Sequence, residues 1–92
     1  MMDIKKGENM FFVGEDDVNP EAEIIYSVDD DGDYVVEGTR VDDHLTNDGV
    51  GTRLVETMAE FAAQEDRKID PQCPFTRNVM EKDDEMRKLI KN

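Results

Sequence analysis

The sequence has a single cysteine, Cys73, so it can form no internal disulfide, a usage that fits a reducing compartment. It is also short of positive charge. Eleven lysines and arginines stand against 24 aspartates and glutamates, a net charge of −13 on 92 residues. Such a surface repels phosphate backbones, which excludes nucleic acid as a general partner. Long apolar runs are missing too. The longest near the amino terminus is Met10 to Val13, too short for a signal-peptide core or a membrane span, so the chain is expected to be cytoplasmic. No repeat or low-complexity linker divides it, and residues 1–92 read as one domain.

What is present falls into periodic clusters. Met10 to Val13 is a short strand candidate, closed by Gly14 and an acidic stretch through Pro20. In "EAEIIYSV", Ile24, Tyr26 and Val28 alternate with Glu23, Ile25 and Ser27, the period-two pattern of a strand. "DYVVEGTRV" follows as a third strand, with Val35, Thr39 and Val41 on one face and Tyr34 and Val36 on the other. Asp31-Gly32 between them suits a tight hairpin turn, because glycine accepts a positive φ.

The period then changes. Val50, Leu54, Met58, Phe61 and Ala62, widened by Val55 and Ala59, recur every 3.6 residues, while Arg53, Glu56, Glu60 and Gln64 face outward. The spacing predicts a helix over about residues 48–65, with Thr46, Asn47 or Asp48 as its N-cap. Lys68 to Gln72 reads as a short strand ending at Cys73-Pro74, since proline favours the first turn of a following helix. Phe75, Val79, Met80, Met86, Leu89 and Ile90 predict one or two closing helices, broken near "KDD". The order is β-β-β-α-β-α. The crossover helix would return the last strand parallel to the third. The fold class is therefore α+β, a twisted and mostly antiparallel sheet.

Four places carry candidate chemistry. Gly49 and Gly51 open the long helix, whose exposed backbone N–H groups can hold an anion, although glycines there serve a tight turn equally well. Cys73 stands at a strand end beside a helix start, where a thiol can become a nucleophile or proton donor; a lone cysteine is otherwise a small buried filler. His44 precedes the glycine loop without a visible partner, as a solvated histidine would. "SVDDDGDYVVEG" invites a calcium loop, but the first and twelfth ligand positions are Ser27 and Gly38, so a hairpin is expected and no metal.

The strand–loop–helix segment resembles the acyl-CoA-binding motif of the GNAT (N-acetyltransferase) superfamily, in which Arg/Gln-x-x-Gly-x-Gly/Ala aligns with "TNDGVG". "GEDD…AEIIY", "VVEGTRVDDHLTNDGVGTRLVE" and "KIDPQCPF" are similar, in order and spacing, to the small one-domain YjdJ-like branch of that superfamily. The sequence departs from the pattern at Thr46, Asp48 and Gly38, where the branch has Arg or Gln, no carboxylate, and often His. The resemblance implies a minimal GNAT core that binds acetyl-CoA and transfers acetyl to an amine acceptor, which for so small a chain could be another protein. It implies pyrophosphate on the backbone amides of Asn47, Asp48, Gly49, Val50, Gly51 and Thr52, and pantetheine along Thr39 and Val41. It further implies Arg77 within reach of the CoA phosphates and Cys73 as the catalytic residue. The other expectation is a non-enzymatic acidic interaction module that keeps the fold.

Overall fold

The computed structural model describes residues 3–46 and 48–91. Its sheet contains β1 (Ile4–Gly7), β2 (Met10–Val13), β3 (Ala22–Val28), β4 (Tyr34–Val41) and β5 (Ile69–Pro71), in spatial order β1-β2-β3-β4-β5. The first four strands pair antiparallel, and β5 lies parallel to β4. A 3-10 turn at Asp43–Leu45 and helix α1 (Val50–Gln64) link β4 to β5, and helices α2 (Pro74–Glu81) and α3 (Asp84–Arg87) follow. This is the expected α+β arrangement, with the parallel crossover where it was predicted.

The core lies on one face of the sheet. Leu54, Val55, Met58, Ala59 and Ala62 of α1 pack on Phe11, Ala22, Ile24, Tyr26 and Val36, joined by Ile69 and Met80. Phe61, with rings of Phe11, Tyr26 and Tyr34 around it, closes one end. The stripe spaced at 3.6 residues is the stripe that is buried. Phe75, counted with the apolar face of the closing helices, is instead 43% exposed, and Val28 at the end of β3 is 55% exposed.

Three local features differ from the sequence reading, each for a physical reason. The first is β1, which the sequence reading did not assign. "IKKG" has one apolar residue, and only its hairpin with β2 through Glu8-Asn9, with Asn9 at φ 59°, makes it a strand. Lysines at 5 and 6 suit an edge strand because charge discourages further pairing. The second is a bulge in β4. Ile25 pairs with Gly38 and Tyr26 with Val36, so Glu37 is an extra residue that reverses the alternation. Thr39 and Val41 therefore share the core face with Tyr34 and Val36, not the opposite one. The third is the β3–β4 turn. Asp29 N–H donates to Asp33 C=O at 2.9 Å and Gly32 N–H to Asp29 C=O at 3.0 Å, leaving a three-residue loop with Gly32 at φ 84°.

That acidic loop holds the chain's end. After α3, which Asp83 caps through the Glu85 and Met86 amides, Ile69 N–H donates to Leu89 C=O and Lys91 N–H to Ile69 C=O, so the tail lines β5. The Lys91 ammonium then sits 2.8 Å from Asp29, 2.8 Å from Asp31 and 3.2 Å from Asp33. Hydrogen bonding to Lys91 holds Asp29 below the usual carboxylate range, and the Lys68 amide does the same for Asp33. Both folded-state pKa values are depressed, so the stabilisation is present above the unfolded value of about 3.9 and is lost as pH falls through the lower folded values. Lys91→Met should accordingly lower the melting temperature at pH 7, with the gap from wild type closing below about pH 3, once the carboxylates are protonated. A gap that stays constant from pH 7 to pH 2.5 would show that the ion cluster contributes nothing.

Candidate active site

The site region begins where β5 leaves β4. Their pairing covers only Tyr34–Val36 with Ile69–Pro71. Pro71 is the last strand residue, and the Gln72 and Cys73 amides both donate to Val36 C=O, at 3.1 and 3.2 Å, before the chain turns into α2. From Glu37 to Val41, β4 runs on with no strand beside it on that side, among the described residues. An edge of unpaired backbone donors and acceptors is a template for an extended ligand that pairs as a strand would.

The free edge leads to the start of α1. Gly49 is the N-cap, at φ 71°, so the helix begins two residues later than predicted, and no side chain among the described residues caps it. Among the described residues, a β-carbon on Gly49 would meet no atom within 4 Å beyond its chain neighbours, so they leave the space above this turn open. The first turn also contains no acidic residue. The Val50, Gly51 and Thr52 amides thus start a 15-residue helix whose dipole favours an anion at that end. Gly51 has a different role. A β-carbon there would lie 2.8 Å from the Phe75 ring and 3.7 Å from Val41, so its absence lets α1, β4 and the first turn of α2 come together.

At the base of the gap that opens between the free edge of β4 and the start of α2, those two elements form a polar cluster. Cys73, the N-cap of α2, is only 9% exposed, and Thr76 on the first turn is wholly buried. Thr39, turned inward by the bulge, has its hydroxyl 3.1 Å from that of Thr76 and 3.5 Å from the Cys73 sulfur. Burial pushes the thiol pKa up, but the Thr39 hydroxyl, the Thr76 amide and hydroxyl, and the Phe75 amide together outweigh it and hold the pKa below its ordinary value. The two amides make no close capping hydrogen bond to the sulfur. They act as the oriented dipoles of a helix start.

The chain is similar to known proteins over most of its length. The profile of a family described as GCN5-related N-acetyl-transferase matches residues 10–89. The solution structure of a GCN5-like putative N-acetyltransferase from Staphylococcus aureus is similar at 34% identity. That likeness covers 99% of this chain and 89% of the other, with a TM-score of 0.81. The chain belongs to the GCN5-related N-acetyltransferase family. No protein of curated function matches it.

Within this family member, the sequence-derived candidates fall into two groups. Thr39, Val41, Gly51 and Cys73 converge on the gap, with Gly49, Val50 and Thr52 on the turn above it. Asp48 is exposed beside that turn, its amide donating to Leu45 C=O at 3.1 Å. Asn47 lies outside the described residues. Arg77 starts from the right turn of α2, but its guanidinium points along the helix to Glu81 at 3.8 Å. Arg53 pairs with Glu56 at 3.5 Å, the surface pairing its spacing suggests. His44 does have a partner, Glu21 at 2.9 Å, on an exposed surface. A groove of about 650 Å³ between α1 and α3, floored by Ala59, Met86 and Leu89, touches none of the gap residues.

Sequence reasoning missed Thr76. Its signal was available: Thr76, Val79 and Met80 form an i, i+3, i+4 stripe, so a polar residue stood on the inward face of α2. Sequence reasoning also missed the place of Phe75, whose ring lies over Gly51 rather than in the core.

Proposed function

We propose that this chain is a single-domain N-acetyltransferase that binds acetyl-CoA across the gap and passes the acetyl group to an amine. The observation that carries the reading is the free edge of β4, which runs from the Thr39–Cys73 cluster to an open, uncapped start of α1. An extended arm pairing with Thr39–Val41 would bring its thioester end to Cys73 and its phosphates to the Val50–Thr52 amides. Acetyl-CoA supplies the activated acyl group. The chain's residues supply orientation, an anion seat and a thiol held below its ordinary pKa.

The acceptor is read as an amine on a large molecule. Helices α1 and α2 pack on the core face of the sheet and α3 packs on α2, and this small set of elements leaves room for a large acceptor, among the described residues. A net charge of −13 suits a basic acceptor protein. No helix among the described residues is long and apolar enough to cross a membrane, and the lone free thiol fits a cytoplasmic setting.

The experiment is a melting curve with acetyl-CoA. At 100-fold above Kd, one site stabilises by about 2.7 kcal/mol, which for a domain of this size raises the melting temperature by roughly 10 °C or more. An unmoved midpoint at millimolar acetyl-CoA would instead support the acidic interaction module. The departures from the family motif at Thr46, Asp48 and Gly38 are the observation that favours this second reading.

A further inference from the structure

We infer that Thr39 and Thr76 are positioning residues, a two-hydroxyl chain that holds the Cys73 sulfur ready to change protonation state without moving any heavy atom. This rests on the reading of Cys73 as the reacting thiol.

The placement of Thr39 is the first argument. With strict alternation from Tyr34 and Val36, residue 39 would face away from the helices. The extra residue at Glu37 turns it inward, onto α2. Bulges re-aim side chains near functional sites, and this one aims a hydroxyl at a thiol. The second argument is burial. Thr76 is 0% exposed, and a hydroxyl left without a partner there would be costly, so it is committed to Thr39 at 3.1 Å. Packing alone would be served as well by valine, which has the same shape without the buried polar group.

The third argument is the order of the three atoms. Sulfur, Thr39 oxygen and Thr76 oxygen lie in series at 3.5 and 3.1 Å, and each hydroxyl can donate or accept. When Cys73 is a thiol, its S–H donates to Thr39, whose O–H donates to Thr76. When the proton has left to a base in solvent, both hydroxyls rotate: Thr76 donates to Thr39, and Thr39 donates to the thiolate. No bond other than S–H is broken, and the charge left on sulfur is met by a donor already in place. Polarisation along the chain strengthens that donor.

Cys73 is the only cysteine, so alkylation of the full-length chain by iodoacetamide reads this one group. The rate is measured against pH for wild type, Thr39→Val, Thr76→Val and Thr39→Ser, with far-UV spectra checking the fold. Thr39→Val should move the inflection up by about one pH unit, making alkylation at pH 7 roughly tenfold slower, because the donor that favours the thiolate is gone. Thr39→Ser should restore the wild-type profile. Thr76→Val should move it in the same direction by less, and the double variant should shift by less than the sum of the two, since part of the Thr76 effect passes through Thr39. A Thr39→Val profile that superposes on wild type would overturn the inference. So would a Thr76→Val effect that persists in full in the Thr39→Val background. If Thr39→Val does not fold, Thr76→Val alone decides, an unshifted profile counting against the inference. The assay contains no CoA, so its outcome is separate from the melting test of acetyl-CoA binding.

Discussion

Replacing Gly51 with glutamate should abolish acetyl-CoA binding and leave the fold in place. Two energies separate those outcomes. For the fold, residue 51 is the second position of α1, where a carboxylate complements the helix dipole by about 0.3–1 kcal/mol. Removing a helical glycine adds a similar gain, roughly 0.5–1 kcal/mol. The new β-carbon would meet the Phe75 ring at 2.8 Å, but that contact is the far end of a side chain that is 43% exposed and free to swing outward. For the ligand, every term is adverse. The side chain projects toward Val41 and the ring, into the gap itself, and brings a fixed negative charge to the amides proposed to hold phosphate. We expect affinity to fall on the order of a hundredfold or more, about 2.7 kcal/mol, with unchanged far-UV spectra. Gly51→Ala, measured alongside by calorimetry, separates bulk from charge. Unchanged affinity in the glutamate variant would remove the first turn of α1 from the site.

The two glycines show how much of the site was legible in the sequence. Gly-x-Gly before an amphipathic run marks a loop entering a helix, and the structure has that loop. The pattern could not say that Gly49 is there for its left-handed backbone and Gly51 for a close approach between elements, because the second reason lies in Phe75, 24 positions later. Thr39 gives the same lesson in a strand. Counting by twos put Val35 with Thr39 and Val41, and a single unpaired residue at Glu37 broke that count. A bulge is a property of two paired strands and leaves little mark on either alone. β1 was illegible for a related reason, since "IKKG" has no pattern until β2 supplies its register. Lys91 and its three carboxylates, about sixty positions apart, carry no local signal at all. What was legible depended on repeated short-range patterns: the α1 stripe, the β3 alternation, and the Cys-Pro step into α2.

Replacing Cys73 with alanine should preserve acetyl-CoA binding and remove acetyl transfer. The wild-type thiol stands below its ordinary pKa, because hydroxyls and amides at the α2 start overcome the opposing effect of burial. At neutral pH it therefore carries more thiolate than a free cysteine. The 24 acidic side chains do not reverse this, since exposed charges beyond about 8 Å are screened at physiological salt. The alkylation rate should rise with pH to an inflection below that of a model thiol and level off once the thiolate is fully formed; bound acetyl-CoA should slow it by covering the gap. The alanine variant removes one buried sulfur, worth about 1 kcal/mol of packing, too little to unfold the domain. The proposed CoA seat, backbone on β4 and α1, is untouched by this change. Transfer should fall by at least about a hundredfold, the lower end of what a positioned nucleophile or proton donor contributes. The measurement is acetyl transfer from acetyl-CoA to a lysine-bearing peptide, followed by CoA release. Transfer at the wild-type rate in the alanine variant would make Cys73 a packing residue, and the acceptor amine would then attack the thioester directly.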